Sequence, residues 1–393
     1  MKKFPHFLVI GTLLFSAMAC GSDDPEPEPP TPPEEEKPID PTPGGDDETG
    51  DIEKPEIPIK DLSKEFATFE VRDMALIYQG GAHRIDWTEE QIRPYVIHEF
   101  DDGTEEWLYD GYLFLDFKDG KGYGYAPGYA SYNARKTEWE WYLGRLFERG
   151  KSLDALDKVI TKGKADLGDP GFRHKIVLTI LVPIDGQKDW GELDGKALDF
   201  DKFRDRKKAA MWFINELITQ FKAQNYQNLD LIGFYWVAEA ANESALPPYI
   251  ANDIHELGYK FVWIPYWNAK GAADWQSCGF DIAYQQPNYF FDREVPLTRF
   301  NEMLPFAKDN HMGVEYECDE RALTDFNYTL RMRSYTEAFE TNDVFETAAV
   351  AHYTGSHLLL DVYNDPQPNP KAEVDKYASI IIKRRDNQKL LPK

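Results

Sequence analysis

The chain has 393 residues, with 44 Lys and Arg against 69 Asp and Glu and a formal net charge of −25. Such an acidic chain, without a basic patch, a phosphate-binding loop or a dinucleotide glycine motif, is not expected to bind nucleic acid or nucleotides. We likewise predict no cofactor and no metal site, with a calcium ion bound at an acidic loop as the alternative. Aromatic residues make up 14% of the chain, which is enough for a large hydrophobic core.

The first residues have the pattern of a lipoprotein signal. A basic start (residues 1–3) is followed by an apolar stretch (7–17) and by small residues before Cys20. The pattern resembles a bacterial lipoprotein signal peptide over residues 1–19, whose removal would leave a lipidated Cys20 as the only membrane contact. An ordinary secretory signal and a single spanning helix are the alternatives, but the apolar stretch is shorter than the roughly 20 residues that span a bilayer.

Residues 20–60 are predicted to be a disordered, acidic, proline-rich tether. Residues 21–60 contain 14 Asp and Glu and only 3 Lys, so charge repulsion and proline keep the segment extended and without a core. Residues 22–24, Ser-Asp-Asp, resemble the acidic signal that exports lipoproteins of Bacteroidota to the outside of the outer membrane. We therefore expect an outer-membrane lipoprotein exposed at the cell surface. The alternative is an acidic linker that contains no export signal.

Residues 61–393 are predicted to form one α/β domain. Short apolar segments bounded by turn residues alternate with amphipathic helical segments, and this alternation favours a parallel sheet. Eight such units predict a closed (β/α)8 barrel of the TIM type, with a doubly wound open sheet as the alternative. The predicted strands are residues 73–79, 111–117, 175–183, 229–239, 259–266, 280–286, 312–319 and 347–353.

Two further cysteines follow Cys20. Cys278 precedes the sixth predicted strand, and Cys318 lies near the end of the seventh. These positions fall at opposite ends of the barrel, whereas a disulfide needs Cα atoms within roughly 7 Å. We expect two buried thiols without a disulfide.

Carboxylates at the ends of the fourth and seventh strands are the candidate catalytic residues. Glu239 ends the fourth strand, while Glu315, Glu317 and Asp319 share one face of the seventh and are expected to point into the barrel mouth. A facing pair of carboxyls is what a glycoside hydrolase requires, with Glu239 as general acid/base and Glu317 as nucleophile. Glu315, one layer lower, is the substitute nucleophile and would need an Arg or Lys partner. A structural salt bridge is the alternative for each.

The other predicted strand ends carry side chains suited to sugars. Pyranose C–H faces stack on aromatic rings, and sugar hydroxyls bind amides and carboxylates. A single aromatic residue is more often a core residue, so the prediction rests on clustering. The candidate substrate-binding residues are Tyr78, Arg84, Asp116, Trp236, Tyr266, Trp267, Asn268, Gln286, Asn288, Tyr289, Asp319 and Tyr353, with Trp87 and His352 as weaker candidates.

These stretches resemble a bacterial secreted family catalogued as a domain of unknown function. The resemblance implies a barrel like those of glycoside hydrolases, but no substrate. Ala238 precedes Glu239, where the retaining glycosidases with glutamates after strands four and seven have Asn. The stretches that carry the resemblance are residues 74–81, 111–116, 233–236 with Glu239, 263–266, 279–281, 286–289 and 313–317.

The sequence therefore favours a surface-anchored glycoside hydrolase that acts on oligo- or polysaccharides with a retaining mechanism. A non-catalytic glycan-binding lipoprotein on the same barrel, and a surface adhesion or structural protein, are the alternatives. Only a pair of facing carboxyls would separate the first from the others.

Overall fold

A computed structural model of the protein describes residues 57, 62–240, 246–385, 387 and 390. The predicted signal peptide, Cys20 and nearly all of the predicted tether lie outside the described residues. Within the described part of the chain, no helix is both long enough and apolar enough to cross a bilayer.

Eight parallel strands close into a barrel. Each strand pairs with its neighbours in chain order, and the last pairs with the first. The predicted (β/α)8 barrel is therefore confirmed, and the doubly wound alternative is wrong. The strands are β1 (Asp73–Tyr78), β2 (Gly111–Leu115), β3 (His174–Ile180), β4 (Leu229–Trp236), β5 (Lys260–Trp263), β6 (Ile282–Gln285), β7 (Gly313–Cys318) and β8 (Val350–Thr354).

Every predicted strand overlaps an observed one, but the ends differ. β4 stops at Trp236, so Glu239 lies beyond the strand that was predicted to contain it. The apolar pattern continues past the last ladder because Val237 and Ala238 remain buried without strand pairing. Likewise, Thr347 ends a short helix and β8 begins only at Val350.

Helices follow the strands and cover the barrel. The apolar stripe of the longest one, which includes Phe213, Ile214 and Leu217, is buried as the helical period predicts. The helices are α1 (Glu89–Val96), α2 (Lys136–Leu146), α3 (Ser152–Leu167), α4 (Phe203–Gln224), α5 (Pro247–Glu256), α6 (Arg299–Asp309), α7 (Arg321–Thr324), α8 (Phe326–Thr341), α9 (Val344–Thr347), α10 (Leu358–Asn364) and α11 (Pro368–Arg385), with a 3-10 helix (Ala272–Cys278) between β5 and β6.

Alternation along β7 separates the interior of the barrel from the helix layer. The Tyr316 hydroxyl contacts the Thr336 hydroxyl and the Met332 carbonyl oxygen of α8, so this side chain faces outward. Its neighbours Glu315 and Glu317 therefore face the barrel interior, as the period of two predicts.

Polar contacts at the start of β1 join the last helix to the barrel. Asp73 lies within 2.9 Å of the Arg384 guanidinium and 2.8 Å of the His352 ring, and that ring also contacts the Tyr377 hydroxyl of α11. His352 is fully buried and burial lowers its pKa. This residue was a weak candidate for the mouth; it belongs instead to the helix layer, because alternation turns it away from the interior.

The two cysteines in the described part of the chain are buried and form no disulfide, as predicted. Cys278 ends the 3-10 helix and Cys318 ends β7. Burial raises the pKa of the Cys318 thiol well above its usual value, so this thiol is an inert part of the core.

Candidate active site

Glu239, three residues beyond β4, is held by two side chains from other parts of the barrel. Its Oε2 accepts a 2.6 Å hydrogen bond from the Tyr129 hydroxyl, and its Oε1 accepts a 2.6 Å bond from Nε2 of Gln286. Burial raises the pKa of the partly buried Glu239, and the two donors offset only part of that rise. Glu239 is thus a carboxyl that keeps a proton at a higher pH than an exposed glutamate.

Glu317 of β7 has an exposed fraction of 0% and sits among donors. Its Oε1 accepts from the backbone N–H of Asn288 over 3.2 Å, and its Oε2 accepts from the Tyr335 hydroxyl of α8. Asn288 has a left-handed φ of +48°, which asparagine tolerates. Burial raises the pKa of Glu317 to about 7, against the effect of these donors and with a further rise from the charge of Glu239.

Gln286 and Asn288 connect the two carboxyls. Oε1 of Gln286 accepts a 2.8 Å bond from Nδ2 of Asn288, while its Nε2 donates to Glu239. Because Asn288 also donates to Glu317, hydrogen bonds run without a break from the end of β4 to β7. The carboxyls predicted to face each other therefore belong to one polar network.

Glu315 does not have the cationic partner that the sequence analysis required. Among the described residues it forms no ion pair, and it hydrogen-bonds instead to the carboxyl of Glu317. Burial and the nearby charge of Glu317 raise the pKa of Glu315 well above its usual value. Two adjacent buried carboxyls oppose each other's ionisation, so a proton on this pair would take the place of the predicted arginine or lysine.

Tyr235, on the interior face of β4, lies close to both ends of this network. Burial, followed by the charges of Glu239 and Glu315, raises the pKa of its phenol well above the usual value. Its register partner on β3 is Thr179, which is also buried. Tyr235 thus places a hydroxyl group in the barrel interior near both Glu239 and Glu315.

Asp116 and Arg84, two predicted sugar ligands, bind each other. Asp116 accepts from Nε of Arg84 over 3.3 Å and from the backbone N–H groups of Gly81 and Phe117 over 2.9 Å each. The Arg84 guanidinium also lies 4.6 Å from the ring centre of Tyr78. These contacts fasten the segment after β1 to the end of β2.

Tyr78 and Tyr353 lie side by side near the ends of β1 and β8. Their rings meet edge to face with centres 5.5 Å apart. Tyr353 is the register partner of Glu317 in the neighbouring strand, and both rings are largely buried. They border the carboxyl network on the side of β8 and β1.

The segment after β5 supports the network from outside. The backbone N–H of Trp267 donates a 2.6 Å bond to Oδ1 of Asn288. The Trp267 ring lies edge to face with Phe306, while Tyr266 is partly buried and Asn268 is exposed with a left-handed φ of +62°. Trp267 therefore positions Asn288 through its backbone, and its partly buried ring packs against Phe306.

Other predicted ligands are engaged elsewhere. Asp319 binds Nε of Arg321 over 2.9 Å, and the Arg331 guanidinium covers the ring of Tyr289 at 3.6 Å. Trp236 is 1% exposed and lies against Phe261 in the helix layer.

Trp87, a weaker candidate, donates from Nε1 to the carbonyl oxygen of Tyr78 over 2.8 Å and is buried. Trp87 and Trp236 are both buried in the hydrophobic core, so neither indole ring is available to stack on a sugar.

Sequence reasoning missed three phenols of the network, Tyr129, Tyr235 and Tyr335. Tyr129 lies in an irregular segment whose contacts no periodic pattern reveals. Tyr335 shares a helix face with Met332 and Phe339, so its spacing indicates a core residue. Within the part of the chain that the structure describes, no group of three or more His, Cys, Asp or Glu could hold a metal ion.

Residues 73–379 match a family described as "Domain of unknown function (DUF4855)". No curated protein matches the chain. Similar solved structures include a GH18 chitinase from the chitin utilization locus of Flavobacterium johnsoniae, at 8% identity and a TM-score of 0.40 over 81% of this chain and 94% of the chitinase. Another is the tryptophan synthase A-subunit from Pyrococcus furiosus, at 11% identity and a TM-score of 0.33 over 82% of this chain and 98% of that one. At these scores neither likeness bears on function.

Proposed function

Because the chain belongs to the DUF4855 family of unknown function, we propose its activity from the site, as a glycoside hydrolase with Glu239 as general acid/base and Glu317 as the second carboxyl. The observation that supports this most is the hydrogen-bonded connection between these two carboxyls at the ends of β4 and β7. The carboxyl ends of the strands are where barrels of this architecture carry their active sites. Two carboxyls there supply both groups that glycoside cleavage needs.

The environments of the two carboxyls suit different roles. The charge of Glu239 raises the pKa of Glu317, so ionisation of one opposes ionisation of the other and the pair holds one proton over an intermediate pH range. The Tyr335 hydroxyl and the Asn288 N–H favour the anion at Glu317. Tyr129 and Gln286 donate to Glu239 in the same way, so we assign the roles by accessibility. Glu239 is the more accessible of the two and donates the proton to the leaving oxygen, while Glu317, once ionised, stabilises the oxocarbenium-like centre.

We propose an oligo- or polysaccharide as the substrate and retention as the stereochemical course. Tyr78, Tyr129 and Tyr353 border the network with phenol rings, which combine an apolar face with a hydroxyl and so suit a pyranose. Retention follows from assigning Glu317 as nucleophile at the end of the seventh strand, with Glu315 as its protonated neighbour.

A non-catalytic glycan-binding protein is the second candidate, and one observation favours it. Glu317 has no exposed surface, and its two oxygens already accept hydrogen bonds from Asn288 and Tyr335. A buried carboxylate of this kind could serve only to hold the loop after β6 in place. The mouth would then bind a glycan without cleaving it.

The experiment that separates these two candidates measures cleavage and binding independently. Residues 61–393 are incubated with glycogen, laminarin, xylan, glucomannan, pectin and glycol chitosan, product release is followed as new reducing ends, and binding is followed as retardation in affinity gels. Glu239→Gln should abolish product release and preserve retardation, because the amide keeps the shape but transfers no proton. Glu340→Gln, a half-exposed glutamate paired with Lys376, is the matched control. Retardation of the wild-type protein without product from any polysaccharide would favour the second candidate.

We further propose that the protein is held at the cell surface through a lipid on Cys20, with residues 21–60 as spacer. The support is the sequence pattern around this cysteine together with the acidic, proline-rich composition that follows it. This arrangement would present the barrel to extracellular polysaccharides.

A further inference from the structure

The segment between β2 and α2, residues 116–135, carries aromatic rings that keep contact with solvent. Phe117, Tyr123 and Tyr129 are partly buried, while Tyr132 is 65% exposed. A tyrosine ring in water forgoes the stabilisation that burial of so large an apolar surface provides. We call the exposed Tyr132 and its partly buried neighbour Tyr123 the aromatic shelf and ask what ligand it could bind.

The shelf is held rigidly. Tyr123–Gly124 pairs in parallel with Tyr132–Asn133. The backbone N–H of Tyr132 donates to the carbonyl oxygen of Gly122 over 3.1 Å, and that of Ala134 donates to Gly124 over 2.9 Å. A ring presented from a hydrogen-bonded pair of short strands loses little freedom when a ligand stacks on it, which lowers the entropic cost of binding.

The shelf is also close to the candidate acid. Tyr129 donates a hydrogen bond to Glu239, and Tyr132 follows it by only three residues. Three residues span at most about 11 Å, even when fully extended. A ligand that lies against Glu239 therefore reaches the shelf if it continues past Tyr129 by at most this span together with the lengths of the Tyr129 and Tyr132 side chains.

The chemistry of the shelf suits a sugar. The rings of Tyr123 and Tyr132 have centres 5.6 Å apart at an angle of 38°, and the Arg135 guanidinium lies 4.6 Å from the centre of the Tyr123 ring. Tyr123 is thus covered on one side, whereas most of Tyr132 faces solvent. A broad, neutral ring with a hydroxyl at its edge matches the C–H face and the hydroxyl rim of a pyranose.

We propose that the aromatic shelf is a second sugar-binding subsite, which holds a glycan chain whose scissile bond lies at Glu239. This inference rests on the proposed function and adds that the substrate is a glycan chain long enough to contact Glu239 and the shelf together. A surface that binds no glycan is the other outcome that the experiment below can reveal.

The test compares long and short substrates. Tyr132→Ala should lower kcat/KM on the polysaccharide that the wild-type protein cleaves about three- to tenfold more than on the 4-nitrophenyl glycoside of the same sugar, because only the polymer reaches the shelf. Tyr132→Trp should restore the value for the polymer. Tyr363→Ala removes a 38% exposed tyrosine of α10 and serves as the matched control, with changes within about twofold on both substrates.

The results separate this inference from the proposed function. Equal effects of Tyr132→Ala on both substrates, or no effect on the polymer while Glu239→Gln still abolishes cleavage, would contradict the proposed subsite. Either result would leave the proposed hydrolase activity unaffected. If the wild-type protein binds polysaccharides without cleaving them, the retardation assay replaces kcat/KM, and unchanged retardation of Tyr132→Ala contradicts the shelf. Absence of both cleavage and retardation with the wild-type protein would overturn both proposals.

Discussion

The hydroxyl of Tyr129 donates a 2.6 Å hydrogen bond to Oε2 of Glu239 and so joins the segment after β2 to the end of β4. A phenol donates to an ionised carboxylate and favours that form, so it lowers the pKa that burial raises. The protonation of the candidate acid thus depends on a side chain outside the barrel strands. A change in the position of this segment would alter the acid as well as the shape of the mouth.

Tyr129→Phe should raise the pKa of Glu239 further. The substitution removes a donor that stabilises the anion and keeps the ring that stacks on Phe117 with centres 4.3 Å apart. The carboxyl carbon of Glu239, followed by ¹³C NMR across pH, should titrate at a higher pH than in the wild-type protein. Tyr123→Phe in the same segment is the control, and a lower pKa in Tyr129→Phe would contradict the assigned direction of the bond.

Glu315→Gln should change how stability depends on pH. A carboxyl whose folded-state pKa is raised contributes stability that is complete below the unfolded-state pKa of about 4.3 and is lost as pH rises through the folded-state value. Burial raises the pKa of Glu315 well above that of the unfolded chain. The amide has no proton to lose. The free energy of unfolding of Glu315→Gln should therefore increase relative to that of the wild-type protein as pH rises from about 5.

Urea unfolding at several pH values between 5 and 8 measures this difference. Glu340→Gln, which replaces a half-exposed glutamate, should show a difference that stays constant across the range. A constant difference for Glu315→Gln as well would show that Glu315 is ionised in the folded protein.

Patterns of apolar and polar residues predicted the eight strands, but they did not predict every side-chain contact between distant segments. The fourth and seventh strands were predicted because apolar runs of limited length, bounded by turn residues, recur along the chain. Alternation also placed Glu315 and Glu317 correctly on the interior face of β7. The period of two along a strand assigns each residue to one side of the sheet, and only its neighbours in the chain are needed for this assignment.

Partners that come from distant segments were beyond such reasoning. An arginine or lysine was predicted beside Glu315, whereas its neighbour in the structure is the carboxyl of Glu317. Tyr129 and Tyr335 reach the carboxyls from an irregular segment and from a helix, so no strand pattern indicates them. Composition and spacing leave such long-range pairings open because many residues of the same type compete for each place.

Residues 61–393 should fold as one cooperative unit without the preceding segment. The closure of the barrel by pairing of β1 with β8 requires no residue before Asp73, and the acidic segment has no apolar residues in sufficient number to form a core. Limited proteolysis of the whole chain should release a resistant fragment that starts near residue 61. Recovery of residues 25–55 within that fragment would contradict the predicted boundary.

Cys20→Ala should abolish membrane attachment and leave the barrel unchanged. Without the thiol no acyl chain can be added, and within the described residues no helix could replace the anchor. Fractionation of cells grown with a labelled fatty acid should find label on the wild-type protein in the membrane fraction and none on the variant. Membrane retention of the unlabelled variant would reveal a different anchor.

Glu239→Gln and Glu317→Gln should each lower kcat on a cleaved polysaccharide by about 10²- to 10⁴-fold, since each removes a group that acts on a proton or on developing charge in the transition state. Both amides keep the size of the side chain, so retardation in affinity gels should change little. The two variants differ in their effect on the hydrogen bonds around Glu317. Glu317→Gln replaces the carboxyl that accepts from Tyr335 and Asn288, whereas Glu239→Gln leaves both of these hydrogen bonds intact.

The stereochemical course gives the same pair a sharper test. If Glu317 attacks the sugar, the first product has the anomeric configuration of the substrate, which ¹H NMR of the early reaction detects before mutarotation. With a 2,4-dinitrophenyl glycoside, whose leaving group needs no proton, Glu239→Gln slows only the second step, so a glycosyl group should accumulate on Glu317 and be found by mass spectrometry on the peptide that contains β7. An inverted product would assign Glu317 as the base that activates a water, and product with unchanged kcat in Glu317→Gln would remove this residue from the reaction and leave its burial as a purely structural feature.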